Sequence, residues 1–309
     1  MSGDKGRGGK PGKGGKAGQR KSQPARPGPV RQGPIRSGPV ASGSARVDKP
    51  SGRKPRSVTD VEPTERLVVG LHPVRELLRA GHRLREVLVD AEREPSEVLD
   101  EILELAGRTK AQVREVSRSR IDDLAEGMVH QGVVAKAGAF PYAGLDRCAA
   151  LARQRGEAIF LVALDGVTDP HNLGAIARSA EGFGAHGLLI PSRRSAAVTP
   201  VVEKAAAGAL AHLPLVRVPN LVSVLKSLKE GGVWIVGLDS EESRPIGQCD
   251  LLTEGVVIVV GSEGKGLGRL THVTCDQLVK LPMHGHVGSF NASVAAAVTL
   301  FEVQRRRGL

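Results

Sequence analysis

Short apolar runs separated by amphipathic segments fill residues 66–140 of the chain. Four of these runs are rich in β-branched residues and predict strands: LVVG, LREVLVD, AQVREVS and GVVAKAG. Between them, apolar positions recur with the three- and four-residue spacing of a helix face. Those positions are Val74, Leu77 and Leu78, and then Val98, Leu99, Ile102, Leu103 and Leu105. The pattern therefore predicts a small α/β domain.

Residues 157–309 repeat the alternation with more continuous apolar runs. Six runs predict strands: AIFLVALD, HGLLIP, LPLVRV, VWIVGLD, VVIVVG and QLVKLP. The segments at about 173–183, 200–209, 220–230 and 291–306 predict helices. Apolar strands that alternate with helices are typical of a parallel sheet covered on both faces. We therefore expect a second α/β domain, joined to the first by a connector at residues 141–156, with ligands bound beyond the carboxyl ends of its strands.

The first 62 residues have a different composition. They contain no Phe, Trp, Tyr or Leu, and Gly-Pro steps recur in RPGPV, RQGPI and RSGPV. Residues 1–58 hold 15 Lys or Arg and two acids, so they carry a charge of +13, whereas the rest of the chain carries −2. Such a segment buries too little apolar surface to offset its ordering entropy. We expect a disordered basic tail, which is either a polycation that binds RNA through counterion release or a solubilising extension.

Composition also argues against several classes of protein. No apolar run approaches the ~20 residues of a membrane span, and the N-terminus lacks the apolar segment of a signal peptide, so we expect a cytoplasmic protein without a membrane partner. Cys148, Cys249 and Cys275 are far apart and form no Cys-x-x-Cys pair, which favours buried thiols over a disulfide framework. His284 and His286 lack partner acids or thiols, so we expect no metal.

A glycine-rich loop follows the fifth apolar run of the second domain, in VVIVVGSEGKGLG at residues 256–268. Strands that lead into such loops often precede phosphate sites. A P-loop, however, requires Gly-Lys-Ser/Thr, and here Lys265 is followed by Gly266 and Leu267. A dinucleotide fingerprint requires a helix behind the loop and an acid about 20 residues on. Neither pattern fits, so the loop serves another purpose.

Three segments near strand ends carry polar residues with chemical potential. In the first, LDGVTDPHNLGAIARSAEGFGAHGLLIP, Pro170 predicts a turn and Asn172 is placed to cap the following helix. Leu173, Ile176, Ala177 and Ala180 form the predicted buried stripe of that helix. Arg178 projects off the stripe. Taken singly, the asparagine could be only a cap and the arginine only an exposed charge.

The other two segments are shorter. Glu263 stands in the glycine-rich loop, and Ser289 and Asn291 precede the last predicted helix in GSFNASVAAAVTLFEVQRRR. The acid could be an ordinary loop residue, and the other two could be helix caps.

In this order, the three segments resemble the motifs of the SPOUT superfamily, specifically its 2′-O-ribose RNA methyltransferases (SpoU/TrmH-like). The resemblance spans roughly residues 66–309 and consists of residues 172–178, GSEGKGL followed by LPM, and Ser289-Phe290-Asn291-Ala-Ser. In the first domain, GLHPVRELL and HQGVVA resemble the ribosomal-protein-like substrate-binding domain of the branch that acts on guanosine of 23S ribosomal RNA.

The resemblance implies a fold, a cofactor and a set of site residues. In this family the last part of the sheet is tied into a deep trefoil knot, an exception to unknotted topology, and the glycine-rich loop packs against S-adenosylmethionine. Glycines there allow close backbone approach and positive φ. By position, the cofactor pocket would be lined by Gly261, Leu281 and Phe290, and the catalytic residues would be Arg178, Asn172, Glu263, Ser289 and Asn291.

Two further expectations come from the third motif. Family members commonly have Ser-Leu-Asn where this chain has Ser289-Phe290-Asn291, so the cofactor wall would be bulkier here. The last helix, with Ala295, Ala296 and Ala297, resembles the family's dimer contact and implies a homodimer.

The implied reaction is attack of a ribose 2′-hydroxyl on the sulfonium methyl group. Arg178 matches the family's catalytic arginine, but a guanidinium with a pKa above ~12 is a poor base. We therefore expect it to hold the adjacent RNA phosphate, with the proton passing to that phosphate or to an arginine of lowered pKa. Glu263, Ser289 and Asn291 would orient the arginine, the ribose or the cofactor, and Asn172 would hold the first loop and contact RNA.

Other readings stay open at this point. Relatives act on guanosine in large-subunit ribosomal RNA, on transfer RNA, or on an adenosine to give antibiotic resistance. A different class would be an RNA-binding or ribosome-assembly protein that keeps the fold without catalysis. A phosphate-loop NTPase is a third alternative, and the missing Gly-Lys-Ser/Thr argues against it.

Overall fold

The computed structural model describes residues 65–242 and 244–308, so the tail predicted for residues 1–62 lies outside it. The described chain begins with a four-stranded sheet of order β1-β4-β2-β3, in which β2 and β3 run parallel and the other pairs antiparallel. Its elements are β1 (Glu65–Val69), α1 (Leu71–Arg79), β2 (Leu84–Asp90), α2 (Glu97–Thr109), β3 (Gln112–Val116), α3 (Arg118–Ala125) and β4 (Val133–Gly138). All four predicted strands of this region are confirmed.

Helix α2 shows where the predicted apolar face was drawn too wide. Leu99, Ile102 and Ala106 are buried against the sheet, whereas Leu103 is exposed. At 100° per residue, Ile102 and Ala106 lie at the centre of the buried face and Leu103 lies at its edge. The helix is held at its start by Ser96, whose hydroxyl accepts a hydrogen bond from the Leu99 amide at 3.4 Å.

A six-stranded sheet follows, of order β10-β8-β9-β5-β6-β7, with every neighbouring pair parallel. Its strands are β5 (Phe160–Asp165), β6 (Gly187–Pro191), β7 (Leu215–Val218), β8 (Trp234–Leu238), β9 (Val256–Gly261) and β10 (Gln277–Val279). Its helices are α4 (Leu145–Arg155), α5 (Pro170–Gly182), α6 (Pro200–Ala206), α7 (Leu221–Glu230), α8 (Arg269–Thr274) and α9 (Ala292–Arg307). The predicted parallel sheet is confirmed, and the trefoil knot stays a prediction.

Alternate residues of the central strand β5 face two different cores. Phe160, Val162 and Leu164 pack with the apolar faces of α5 and α9, whereas Leu161 and Ala163 pack with α4 and α7 residues on the other side. A strand buried on both faces explains why its sequence is a continuous apolar run rather than an alternation. The segment expected as a connector at residues 141–156 contains α4, whose Cys148 is buried in the second of these cores.

The two sheets contact each other through β1 and α1 on one side and α6 on the other. The Arg66 guanidinium forms an ion pair with Glu203, which is buried, and the Arg66 side chain is only 9% exposed. Burial raises the pKa of Glu203 to about 7, against the opposing effect of Arg66. Nearby, Gly208 adopts φ 98°, and a Cβ there would lie 2.6 Å from the side chain of Glu76. Glycine is therefore required for this close approach.

No helix within residues 65–242 and 244–308 has both the length and the apolar character needed to cross a bilayer.

Candidate active site

The three predicted polar segments meet at the carboxyl edge of the large sheet. Asn172 Nδ2 donates a hydrogen bond to Glu263 Oε1 at 2.9 Å. Asn291 Nδ2 donates to the same carboxylate oxygen at 2.6 Å and to Asn172 Oδ1 at 3.0 Å. These three residues, which we call the edge cluster, come from positions separated by up to 119 residues in sequence. Because one carboxylate oxygen accepts from both amides, the orientation of Glu263 is fixed by two other elements.

The register of the sheet explains how the cluster forms. Strands β5 and β9 are parallel neighbours, and Asp165 pairs with Gly261 at their ends. The chain leaves β5 toward α5, which carries Asn172, and leaves β9 directly into the loop that carries Glu263. Adjacent parallel strands end at the same edge, so these two side chains are brought together by the sheet itself.

The predicted capping role of Asn172 is wrong. The cap of α5 is Asp169, whose Oδ1 accepts from the His171 amide at 2.9 Å, and Pro170 begins the helix rather than forming a separate turn. Proline is favoured in the first helical position because its missing N–H would have no partner there, and this places the cap one residue before it. Asn172 therefore lies inside the first turn, where it is 5% exposed and its amide serves the edge cluster.

Asn291 caps α9, as considered above, and it also joins the edge cluster. Its Oδ1 accepts hydrogen bonds from the amides of Ser293 at 2.9 Å and Val294 at 3.3 Å, which caps α9. Its Nδ2 faces the opposite way, into the edge cluster. Ser289, by contrast, precedes the cap of α9, and it lines the cleft described below.

The glycine-rich loop owes its composition to its own fold. Ser262 and Gly266 exchange backbone hydrogen bonds of 3.0 and 2.9 Å, which closes a tight turn. Gly264 and Gly266 have φ values of 73° and 61°, a left-handed conformation that favours glycine. A Cβ on Gly261 would lie 2.3 Å from the carbonyl carbon of Gly266. The close approach that requires Gly261 is thus to the loop's own backbone.

Asp165 is a residue of this edge that the sequence reasoning missed. Its Oδ2 accepts a hydrogen bond from the Gly268 amide at 2.8 Å and so ties the end of the loop to the end of β5. The available signal was an acid directly after an apolar strand, in LVALDG. Such an acid is common at a strand end, so its position alone does not single it out.

A cleft of about 660 Å³ opens beside the edge cluster, between the ends of β8, β9 and β10 and the segment before α9. Its lining includes all three predicted cofactor residues, Gly261, Leu281 and Phe290, together with Glu263 and Ser289. The volume lies within the range of small-molecule sites, about 300–1,000 Å³. Apolar side chains and exposed backbone of the glycine-rich loop share the wall, an arrangement that suits a ligand with a flat ring and polar substituents.

Arg178 lies apart from the edge cluster. It is on the same helix as Asn172 but six residues on, which displaces it by about 9 Å along the axis. It is exposed and does not line the cleft. Within the part of the chain that the structure describes, its guanidinium has no hydrogen bond or ion pair, so it is available to an anion. The buried stripe predicted for α5, Leu173, Ile176, Ala177 and Ala180, is confirmed.

The cysteines do not supply a nucleophile to this site. Cys148 and Cys249 are buried as expected, and Cys275 is partly buried. Burial raises the pKa of Cys148 to about 11 and that of Cys275 to about 12, so both thiols stay protonated at neutral pH.

One group with metal-binding side chains borders the cleft. Carboxylate and imidazole atoms of Asp239, Glu242 and His272 lie within 4.8 Å of one another. The His272 ring lies 3.3 Å from Asp239 Oδ2, a contact that an ordinary ion pair or hydrogen bond explains. His284 and His286, considered above as ligands, line the cleft separately from this group. That the site uses no metal stays a prediction.

Two known family models match the chain, one over each of the two sheets. A family model described as the SpoU rRNA Methylase family matches residues 159–301. A second model, described as RNA 2′-O ribose methyltransferase substrate binding, matches residues 67–143. The order of the two matches is the order of the two sheets along the chain.

Curated relatives match most of the chain. An uncharacterized tRNA/rRNA methyltransferase of Mycobacterium sp. (strain KMS) is 44% identical over 264 residues, covering 85% of this chain and 83% of the relative. A protein of Staphylococcus saprophyticus, named as a member of the TrmH family of tRNA/rRNA methyltransferases, is 41% identical over 243 residues, covering 79% of this chain and 96% of its own length.

Solved structures share the fold. The SpoU methyltransferase AviRb from Streptomyces viridochromogenes, in complex with the cofactor AdoMet, is similar with a TM-score of 0.66 and 30% identity, over 79% of this chain and 91% of that one. A structure described as an RNA 2′-O ribose methyltransferase is similar with a TM-score of 0.64 and 25% identity, over 80% and 90% of the two chains. The expected α/β fold, with a substrate-binding domain before a parallel-sheet domain, is confirmed.

Proposed function

Because the chain belongs to the SpoU/TrmH family of RNA methyltransferases, we propose that it transfers a methyl group from S-adenosylmethionine to a ribose 2′-hydroxyl of RNA. We further propose that the target is a guanosine of 23S ribosomal RNA. The observation that carries the proposal is the edge cluster, which joins one residue from each of the three motifs beside a cleft lined by Gly261, Leu281 and Phe290.

The cleft suits S-adenosylmethionine in its chemistry. Leu281 and Phe290 would pack against the adenine ring, and the loop after Gly261 would offer backbone groups to the polar edge of the adenosine. Phe290 is 43% exposed, so its ring can move to accommodate a ligand. When bound, the cofactor supplies an electrophilic methyl group on a positively charged sulfur.

The residues of the chain would then divide the remaining work. Glu263, held through one oxygen by two amides, presents its other oxygen to the ribose or to the cofactor's amino group, and Ser289 faces the same cleft. Arg178 grips the RNA phosphate next to the target sugar, because its guanidinium is exposed and can form two parallel hydrogen bonds. The 2′-oxygen forms the new bond to the methyl carbon as the carbon–sulfur bond breaks, and the hydroxyl proton passes to a phosphate oxygen or water.

We also propose a division of labour along the chain, in which residues 66–140 bind RNA, residues 141–156 connect, and residues 157–309 carry out methyl transfer in the cytoplasm. The basic tail at residues 1–62 would add salt-sensitive RNA affinity. If so, removing residues 1–58 should weaken RNA binding most at low salt, whereas unchanged binding would show the tail to be only a solubilising extension.

A homodimer is the proposed assembly. Val294, Val298 and Phe301 recur at four- and three-residue spacing on α9 and are all exposed. The ring of Phe301 already contacts Phe183, the residue that follows α5, edge-to-face with centroids 6.2 Å apart. An apolar helical stripe left open in this way is suited to the same stripe on a second copy.

The direct test is a labelled-methyl transfer assay with the full chain and total RNA, ribosomal and transfer, from cells that lack the gene. Incorporation into the ribose of a guanosine in 23S RNA supports the proposal in full. Incorporation only into transfer RNA, which the names of the relatives also allow, keeps the reaction and changes the target. Cofactor binding by calorimetry without transfer to any RNA would favour an RNA-binding protein that lacks catalysis.

A further inference from the structure

The part of the chain that follows the basic N-terminal segment needs a local source of positive charge to hold RNA. Residues 59–309 carry a net charge of −2, so a phosphate backbone gains nothing from their overall field. Many arginines of the first sheet are also neutralised, since Arg79, Arg85 and Arg114 each form an ion pair with a carboxylate. RNA phosphates must therefore be met by cations that the protein leaves without a carboxylate partner.

Two such cations lie side by side in the loop between β6 and α6. Arg193 and Arg194 are exposed, and within the described residues neither has a hydrogen bond or an ion pair. The loop is nevertheless fixed at both ends. The Ser192 amide donates to Val218 O at 2.8 Å, and the Ala196 amide donates to Val167 O at 3.1 Å. Two unpaired guanidinium groups are thus held on an anchored loop.

The anchor at Val167 connects this loop to the candidate active site. Val167 belongs to the turn that leads from β5 into α5, the helix that carries Asn172 and Arg178. In the sheet, β5 lies between β9 and β6, so the loops after these two strands flank its carboxyl end. The loop after β9 forms the cleft, and the loop after β6 carries the arginine pair.

The β9 side also carries two exposed cations, Lys265 and Arg269, which form no ion pair within the described residues. Positive charge is therefore present on both sides of the strand end at which the three motifs meet. An RNA strand that crosses this edge would place its reactive sugar near the edge cluster and its flanking phosphates over the two loops.

From this arrangement we propose that Arg193 and Arg194 form a phosphate-binding site for the RNA strand that flanks the modified nucleotide, on the side of β5 away from the cofactor cleft. The inference rests on the proposed function and adds to it a specific contact with the substrate. Guanidinium groups suit this role because each can bind a phosphate through two parallel hydrogen bonds. Since neither arginine contacts the edge cluster, the pair contributes to RNA affinity and not to methyl transfer.

The test compares two double variants of the full chain. R193Q/R194Q removes both charges at the carboxyl edge and keeps most of the side-chain length. R147Q/R153Q removes two exposed charges from α4, which lies at the opposite edge of the sheet. Two contacts place α4 at the edge where the strands begin. The Ala143 amide donates a hydrogen bond to the carbonyl oxygen of Leu215, the first residue of β7, at 2.8 Å, and Cys148 lies against Gly187, the first residue of β6. Circular dichroism checks that both variants fold.

Binding to 23S ribosomal RNA transcribed in vitro is measured at several salt concentrations. Losing two phosphate contacts should flatten the slope of log affinity against log salt by about 1.4 to 1.8. The affinity deficit of R193Q/R194Q should therefore be about tenfold larger at about 50 mM salt than at about 200 mM. R147Q/R153Q should follow the wild type. In the transfer assay, R193Q/R194Q should raise KM for RNA and leave kcat unchanged.

Equal deficits for the two double variants, or no deficit for R193Q/R194Q, would overturn the proposal. The wild type could transfer no methyl group while R193Q/R194Q, but not R147Q/R153Q, weakens RNA binding. That outcome would support the binding site and refute the proposed function. A fall in kcat with unchanged KM would also overturn it, because the pair would then act on the chemistry.

Discussion

The edge cluster and the contact between the two sheets both place a carboxylate among polar partners, and they do so in opposite ways. Glu203 is buried, the side chain of its partner Arg66 is mostly covered, and the pair joins β1 to α6. Glu263 is exposed, is held by two neutral amides, and borders an open cleft. In the first case one carboxylate oxygen pairs with a guanidinium and the other is buried without a hydrogen bond, whereas in the second the carboxylate borders an open cleft. The difference separates a contact that fixes the two sheets together from one that can act on a ligand.

The largest expected effect comes from the exposed arginine of the site. Arg178→Ala should lower kcat for methyl transfer by about 10²–10³, the scale seen when one donor that stabilises charge in a transition state is removed. Cofactor affinity, measured by calorimetry, should be unchanged because Arg178 does not line the cleft. Arg178→Lys keeps the positive charge but loses the planar guanidinium that can form two parallel hydrogen bonds, so activity in this variant would show that charge alone suffices. Full turnover by Arg178→Ala would remove this residue from the mechanism.

The second-largest expected effect separates the role of Asn291 as a helix cap from its role in the edge cluster. Asn291→Ala removes the cap of α9 and two hydrogen bonds of the cluster, whereas Asp169→Ala removes only the cap of α5. The lost cap alone should lower the free energy of unfolding of each variant by about 1 kcal/mol. Only Asn291→Ala should also lower methyl transfer, by about tenfold or more, because Glu263 loses a partner that fixes its orientation. If both variants kept wild-type transfer rates, the cluster would be purely structural.

A smaller effect is expected from the exposed stripe of α9. Phe301→Glu places a charge on the proposed dimer face, where Phe301 is 54% exposed, and should convert the dimer to a monomer in light scattering at micromolar concentration. Leu270→Glu is the matched control, since Leu270 is 56% exposed on α8. A wild type that is already monomeric would contradict the proposed assembly.

The smallest effect concerns the buried pair between the sheets. Because burial raises the pKa of Glu203 from 4.5 to about 7, the folded state binds this proton more tightly than the unfolded state does. The wild type should therefore lose stability as the pH rises through this window. Glu203→Gln abolishes the titration, so its Tm relative to the wild type should increase between pH 4.5 and about 7.

The control is Glu302, whose pKa is shifted in the opposite direction from that of Glu203. A hydrogen bond from Arg305 lowers the pKa of Glu302, so its contribution is lost only as the pH falls below 4.5. Glu302→Gln should therefore show a Tm difference that stays constant across the window in which Glu203→Gln changes. A constant difference for Glu203→Gln as well would show that its carboxyl group is ionised throughout.

Much of the fold could be predicted because its signals are local. The strands of the large sheet are continuous apolar runs such as VVIVVG, and burial on both faces leaves them no polar positions to confuse the pattern. Helix α3 gave a weaker signal, because it spans only Arg118–Ala125 and buries Ile121 and Ala125 alone. Two buried positions are too few to establish a helical period.

The site was predictable in its residues and less so in their interactions. The order of the motifs grouped Asn172, Glu263 and Asn291 as residues of one site, and the structure joins them by hydrogen bonds. Local rules nevertheless assigned the cap of α5 to the wrong residue, because both Asp169 and Asn172 are good caps and only the Pro170 position decides between them. The Arg66–Glu203 pair links positions 137 residues apart, for which sequence spacing offers no signal.

The most direct measurement is a map of 2′-O-methyl groups in RNA from cells with and without the gene, with complementation by the wild type and by Arg178→Ala. One ribose methylation in 23S ribosomal RNA should disappear with the gene, return with the wild type and not return with the variant. Identical maps from the two cell lines, or full restoration by Arg178→Ala, would contradict the proposed function.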